Sequence, residues 1–157
     1  PSAPTNHAEN LYIPTNVDVD NAGNIYVTDT RAFRVQMYDR EGRFIKSFGE
    51  QGDRLGNFAR PKGVSVDRDG RLYVVDAAAQ VVQIFDVKTG ALLMYFGEAD
   101  DSGVSLSLPA GIAIDYEQVR YFQKYAAPDF EVEHLILVTS QFDVPRVNVY
   151  GFGHRKK

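Results

Sequence analysis

Two acidic stretches, VDVDNAGN (Val17–Asn24) and VDRDGR (Val66–Arg71), set carboxylates at alternate positions ahead of a glycine, a composition that could ligate calcium. Calcium takes six or more oxygens from one loop, with a bidentate acid further along, and neither stretch continues that way. Each reads instead as a strand ending at Asp20 or Asp67, with Asp115 at the matching place further on, followed by a hairpin in which Gly23 or Gly70 takes a positive φ. Asp29 and Asp76 could serve as general bases. They recur at equivalent places, however, and a catalytic acid is needed once, whereas a carboxylate that accepts hydrogen bonds from loop amides is needed in every copy. His7 and His154 lie in polar terminal segments and His134 in an insertion, so no histidine pair has the spacing of a metal site or an acid–base couple. There is no cysteine, which removes disulfides, thiolate zinc sites and haem-attachment motifs and leaves the redox compartment open. No G-x-S-x-G nucleophile turn is present. The expectation is a chain without catalytic residue, metal or cofactor.

The surroundings of these residues narrow the class. A chain of 157 residues, 44% hydrophobic, supports a single domain. A net charge of −4 and a pI near 5.3 offer no attraction to phosphate backbones, so nucleic acid is not expected as a partner. No apolar run approaches the roughly 18 residues of a membrane span, which predicts a soluble chain without membrane insertion. The opening PSAPTNHAEN lacks the basic and apolar regions of a signal peptide. The chain starts at Pro1 in place of an initiator Met, which suggests an upstream segment removed by processing or proteolysis, with export followed by cleavage as one route.

The positions that carry these acids belong to a repeat. Pro14–Asp39 and Pro61–Asp86 align without gaps at an offset of 47 residues, with identity at 12 of 26 positions. A third, degenerate copy starts at Pro109 with GIAID, resumes at LILVTS (Leu135–Ser140) and closes at RVNVYG (Arg146–Gly151). The first copy holds four short alternating or β-branched runs, NVDVD, NIYVTD, RVQMYD and RFIKSFG, separated by turn signals. Strands are predicted near 15–20, 24–29, 34–39 and 43–48, repeating 47 to 48 residues later. One four-stranded antiparallel sheet per repeat of this length is a propeller blade, and the two good copies show no helical periodicity.

The run P-x-G-V-x-V-D-x-D-G-x-L-Y-V-x-D at Pro61–Asp76, the following V-V-Q-I-F-D and the closing Phe96-Gly97 resemble the NHL repeat, over most of Pro14–Gly151. The resemblance implies an all-β propeller of NHL type: blade 1 at about 14–49, blade 2 at about 61–97 and blade 3 at about 109–151 with an insertion at 116–134. The third blade lacks its outermost strand. Such families usually close a ring of six blades, so this chain reads as a partial or half propeller that pairs with completing blades or a second half. The family includes RNA-binding domains, receptor sensors, protein scaffolds and a few lyases, and the fold does not fix the chemistry. The metal-binding and catalytic residues of those lyases have no recognisable counterpart here.

Relatives commonly bind ligands on the face formed by the loops between second and third strands and by the interblade connections. Here that face is expected to carry Arg31, Phe33, Arg34, Gln80, Gln141, Phe142 and Arg146, with Arg54, Arg60 and Lys62 from the connections. Arginine beside aromatic residues is the composition of a protein-interface hot spot, and also of an ordinary rim packed on neighbouring blades. In the insertion YEQVRYFQKYAAPDFEVE (Tyr116–Glu133), Asp115 and Gln118 resemble a capping box, and Val119, Phe122 and Tyr125 or Ala126 share one helical face. This predicts a short helix covering the end of its own blade, with Tyr121 and Phe122 as candidate partner contacts. The functional expectation is a non-catalytic interaction module, an accessory or scaffold subunit of a larger complex. An envelope or redox assembly with a multihaem cytochrome or other redox subunit is the suggested setting, in the periplasm or outside the cell in preference to the cytoplasm. The alternative is a lyase or lactonase-like hydrolase whose catalytic residues lie on blades absent from this chain.

Overall fold

A computed structural model of the chain describes residues 9–98, 105–142 and 146–157. The first sheet runs in sequential antiparallel order through β1 (Pro14–Val19), β2 (Ile25–Asp29), β3 (Arg34–Tyr38) and β4 (Phe44–Phe48). The second repeats it with β5 (Pro61–Val66), β6 (Arg71–Asp76), β7 (Val81–Asp86) and β8 (Leu92–Phe96). The third has three strands, β9 (Pro109–Asp115), β10 (Phe130–Ser140) and β11 (Arg146–Arg155), with β10 in the middle. The alternation read from the sequence places the eight strands of the first two sheets to within about a residue at each end.

In the third sheet the strands outrun the expectation. The β10–β11 ladder extends from Ser140↔Arg146 to Phe130↔Arg155, so Phe130–His134 is strand and not insertion. The cause lies outside the strand: the Gln123 side chain donates to Phe130 O at 2.8 Å and accepts from Val132 N at 2.9 Å, holding that edge extended. A bulge between Val132 and His134 resets the register. The insertion itself contains the predicted helix, α1 (Val119–Phe122), continued by a 3-10 turn at Gln123–Tyr125. Asp115 Oδ1 accepts from Gln118 N at 2.7 Å at its start.

The sheets meet through their first strands, β1 beside β5 and β5 beside β9, which is the radial arrangement of propeller blades. Gly63 permits the closer approach, because a Cβ there would collide with Ala110 O. Between the first and second sheets lies one core, with Tyr26, Val35 and Met37 facing Val64, Leu72, Val74 and Phe85. Between the second and third lies another, with Tyr73, Val75, Val82 and Ile84 facing Ile136 and Val138. Each connection drives one side chain into its core: Phe58 into the first, Leu106 into the second, both fully buried. Gly49 and Gly97, at φ +72° and +108°, lie directly over these two side chains, leaving no room for a Cβ.

Candidate functional site

The repeated aspartates form the frame on which the loops rest. Asp76 Oδ2 accepts from Ala59 N at 2.7 Å, and Oδ1 from Arg60 N at 2.9 Å and from Ala78 N and Ala79 N at 3.1 Å. Asp29 repeats the first pair, taking Tyr12 N and Ile13 N at 2.9 Å. The principal donors are thus amides of the segment entering each sheet, 16 and 17 residues upstream, and among the described residues Asp76 also holds amides of the loop that follows. In the third sheet Ser140 stands in the aspartate's place, opposite Pro109, and its Oγ takes Ser107 N at 3.3 Å. At the other end of the sheets, Asp20 accepts from Ala22 N, Asn24 N, Asn24 Nδ2 and Tyr26 OH. Burial alone would raise the Asp20 carboxyl, and these four bonds outweigh it and hold it below its ordinary value. Gly23 and Gly70 take positive φ, at +87° and +78°. Of the acids read as possible calcium ligands, Asp20 and Asp67 are occupied by their own turns and Asp18 Oδ2 accepts from Ser65 Oγ and Val66 N of the second sheet, and among the described residues no three acids or histidines converge on a metal position.

Asp67 does more than its counterpart. It accepts from Arg71 Nε at 2.5 Å and Tyr73 OH at 3.0 Å, and Tyr73 OH also bonds His134 Nε2 at 3.0 Å across the seam between the second and third sheets. His134 stacks on Phe152 at 4.8 Å, and the Arg71 guanidinium lies 4.4 Å from the Phe152 ring centre. Burial holds the His134 imidazole below its usual range, partly opposed by the Asp67 charge, and burial with the Asp67 charge pushes the Tyr73 phenol up. Reading His134 as part of a polar insertion is corrected here: it is a seam residue of β10, brought to Tyr73 by packing. His7 lies outside the described residues, and His154 forms an exposed pair with Glu133 at 2.7 Å.

The candidate contact residues divide between the two ends of the sheets, because the insertion follows β9 at one end while the β2–β3, β6–β7 and β10–β11 connections lie at the other. Arg31 is exposed in a 3-10 turn, and Phe33, at φ +55°, packs partly onto the first core. Arg34 is drawn inward, 14% exposed, 3.7 Å from Asp29 and donating to Asn10 O at 2.8 Å, so it braces the frame. Arg146 donates to Ser105 O at 2.8 Å. Tyr121 is exposed on α1, while Phe122 lines a 270 Å³ cavity against Leu135 and Val149 of its own sheet. Tyr116 is spoken for: its hydroxyl accepts from Arg68 N at 2.9 Å, beneath the Arg68 guanidinium.

Arg60 and Phe142 line two hollows that share Ala77 and Leu108. Between the second and third sheets, Arg60 and Lys62 line a recess of 90 Å³ with Gln141, and Ala77 and Leu108 join it to a cleft of 530 Å³ that reaches Gln80 and Phe142. Leu108 and Gln80 both hold positive φ, +46° and +60°. Leu108 went unnoticed in the sequence, where nothing marks it apart from its place before Pro109.

The fold has close parallels. A hydrazine synthase chain of Kuenenia stuttgartiensis superposes with a TM-score of 0.63 at 15% identity, over 99% of this chain and 38% of that one. A Bacteroides fragilis protein provisionally described as exported gives 0.56 at 14% identity, over 86% of this chain and 36% of that one. A streptogramin B lyase gives 0.54 at 12% identity, over 88% and 40%. This chain therefore spans well under half the length of each, and at such identities the likeness is one of fold. Comparison with curated proteins yields no match. Among the described residues no helix is long and apolar enough to cross a membrane. Radially stacked antiparallel sheets, a 47-residue repeat and these parallels agree with the family model that matches residues 5–127, and the chain belongs to the 6-bladed beta-propeller family.

Proposed function

We propose that this chain is an NHL-type interaction module without catalytic residues of its own, an accessory or scaffold part of a larger assembly in which further blades pack against its outer sheets. The observation that carries this reading is the outward face of the first sheet. Val17, Ile25, Val27 and Tyr38 are the repeat equivalents of Val64, Leu72, Val74 and Phe85, all of which lie in the core between the first and second sheets. Val64 is 5% exposed there, and Val17 is 62% exposed. Leu11 likewise occupies the place of Phe58 and is 38% exposed where Phe58 is fully buried. A face that keeps apolar side chains at these positions is built to be covered. On the far side, β11 offers an open edge of ten residues.

The setting outside the cytoplasm, beside an envelope or redox partner such as a multihaem cytochrome, belongs to the same reading. The likeness to a hydrazine synthase chain and to a protein provisionally described as exported supports it. Partner contacts are assigned to the exposed loop residues Arg31, Arg60 and Phe142 and to Tyr121 on the insertion. Light scattering on the purified chain tests the assembly: we expect concentration-dependent association that the double substitution Val17→Asp, Val27→Asp suppresses. A stable monomer at micromolar concentration, unfolding cooperatively, overturns the reading.

A further inference from the structure

The cleft between the second and third sheets carries a more specific inference, which rests on the module reading and names what one of its surfaces takes. Its two ends differ in chemistry. At one, Arg60 and Lys62 flank a recess closed by Gln141. Among the described residues neither cation has a carboxylate within 4.0 Å, although Arg34, Arg43 and Arg71 elsewhere each have one. The nearby acid Asp76 is buried with both oxygens on backbone amides, and it forms no ion pair within 4.0 Å with either cation. At the other end Leu108, 37% exposed, and Phe142, 68% exposed, stand across the wider part of the cleft. The 90 Å³ recess has room for little more than a carboxylate, and the 530 Å³ cleft for an apolar side chain with the backbone on either side.

We infer that this cleft receives a peptide segment of a partner protein in which an acidic residue adjoins a large apolar one, the carboxylate lying between Arg60 and Lys62 and the apolar side chain between Leu108 and Phe142. Arg60 suits this role because its planar fork can hold a carboxylate through two hydrogen bonds, with Gln141 able to donate a third. A peptide fits better than a nucleic acid. The molecule as a whole carries a charge of −4, which disfavours a long phosphate chain, while a single carboxylate needs only the local pair of cations.

The test uses the 157-residue chain and fluorescein-labelled peptides Gly-Glu-Phe-Gly and Gly-Lys-Phe-Gly, with a single-stranded oligonucleotide as the competing class, read by anisotropy and by amide NMR shifts. The expected result is at least about tenfold preference for the Glu peptide, with shifts centred on Ala77, Gln80, Leu108 and Gln141. The double substitution Arg60→Glu, Lys62→Glu should reverse the preference toward the Lys peptide, a gain that a merely unfolded variant cannot show. Phe142→Ala should weaken both peptides by about threefold to tenfold without altering the charge preference. Equal binding of the two peptides, no reversal in the double variant, or tighter binding of the oligonucleotide than of either peptide overturns the proposal. None of these outcomes touches the association test on the first sheet, so this inference and the module reading fail separately.

Discussion

Replacing Asp76 by alanine removes the acceptor of four amide hydrogen bonds, from Ala59, Arg60, Ala78 and Ala79 at 2.7, 2.9, 3.1 and 3.1 Å. A hydrogen bond to a charged group contributes about 1.5–3 kcal/mol, and an exposed amide recovers most of its loss from water. The Ala78 and Ala79 bonds are the longer pair, which leaves the two shorter bonds as the main loss. Together these put the cost of D76A at about 3–4 kcal/mol. Asp76→Asn keeps one acceptor oxygen and faces the other amide with an NH₂, for a cost of about 2 kcal/mol by the same reasoning. Asp29→Ala removes two bonds without the turn and should cost about 2–3 kcal/mol, while Ser140→Ala removes one neutral bond of 3.3 Å and should cost under about 1 kcal/mol. Urea unfolding measures the series: with a slope of about 2 kcal/mol per molar, D76A moves the midpoint down by about 1.5–2 M. A D76A midpoint within about 0.3 M of the parent, or an order in which S140A costs more than D76A, refutes the assignment of these acids to the frame. Turnover of a small substrate that D29A abolishes would make them catalytic and overturn the module reading with them.

Other expectations follow from the same geometry. Because burial lowers the folded pKa of His134 below the unfolded value of about 6.5, its contribution is fully present above that pH and is lost as pH falls below it, so Tm should drop on acidification below about pH 6.5, and His134→Gln should flatten that drop; an unchanged slope would remove His134 as its source. Gly49→Ala forces a Cβ onto the Phe58 ring at positive φ and should cost more than about 2 kcal/mol, whereas Gly42→Ala, at φ +80° with open space around it, should cost about 1 kcal/mol; equal midpoints for the two in urea would contradict the account. Phe58→Ala should cost about 3–5 kcal/mol and Leu11→Ala under about 2 kcal/mol in the isolated chain; a similar loss at both positions would mean that Leu11 is already enclosed. Co-purification with native partners should fall for Arg60→Ala, Phe142→Ala or Tyr121→Ala by roughly thirtyfold in affinity where the residue is a hot spot; retention of every partner by all three would clear these surfaces.

What the sequence by itself determined is local. Strand ends, hairpin glycines and the turns closed by Asp20 and Asp67 follow from alternation and turn chemistry within a few residues, and a repeat states them more than once. The role of Asp29 and Asp76 as amide acceptors was also legible, since each copy carries the same acid, although the amides they hold lie 16 and 17 residues upstream and not only in the next loop. The tertiary structure decided whatever depends on two sheets meeting. His134 lies 61 residues from Tyr73 and looks like any polar residue of an insertion until β10 is seen to begin at Phe130. Arg34 looked like a free interface arginine, and the packing turns it to Asp29 and Asn10. Val17 and Val64 are the same residue in the same motif, one open and one enclosed, because alternation sets which way a side chain points and only the neighbouring sheet sets what it meets. Arg60 and Phe142 line adjoining hollows for the same reason: each belongs to a connection of a different sheet, and only the stacking of those sheets makes Ala77 and Leu108 common to both hollows.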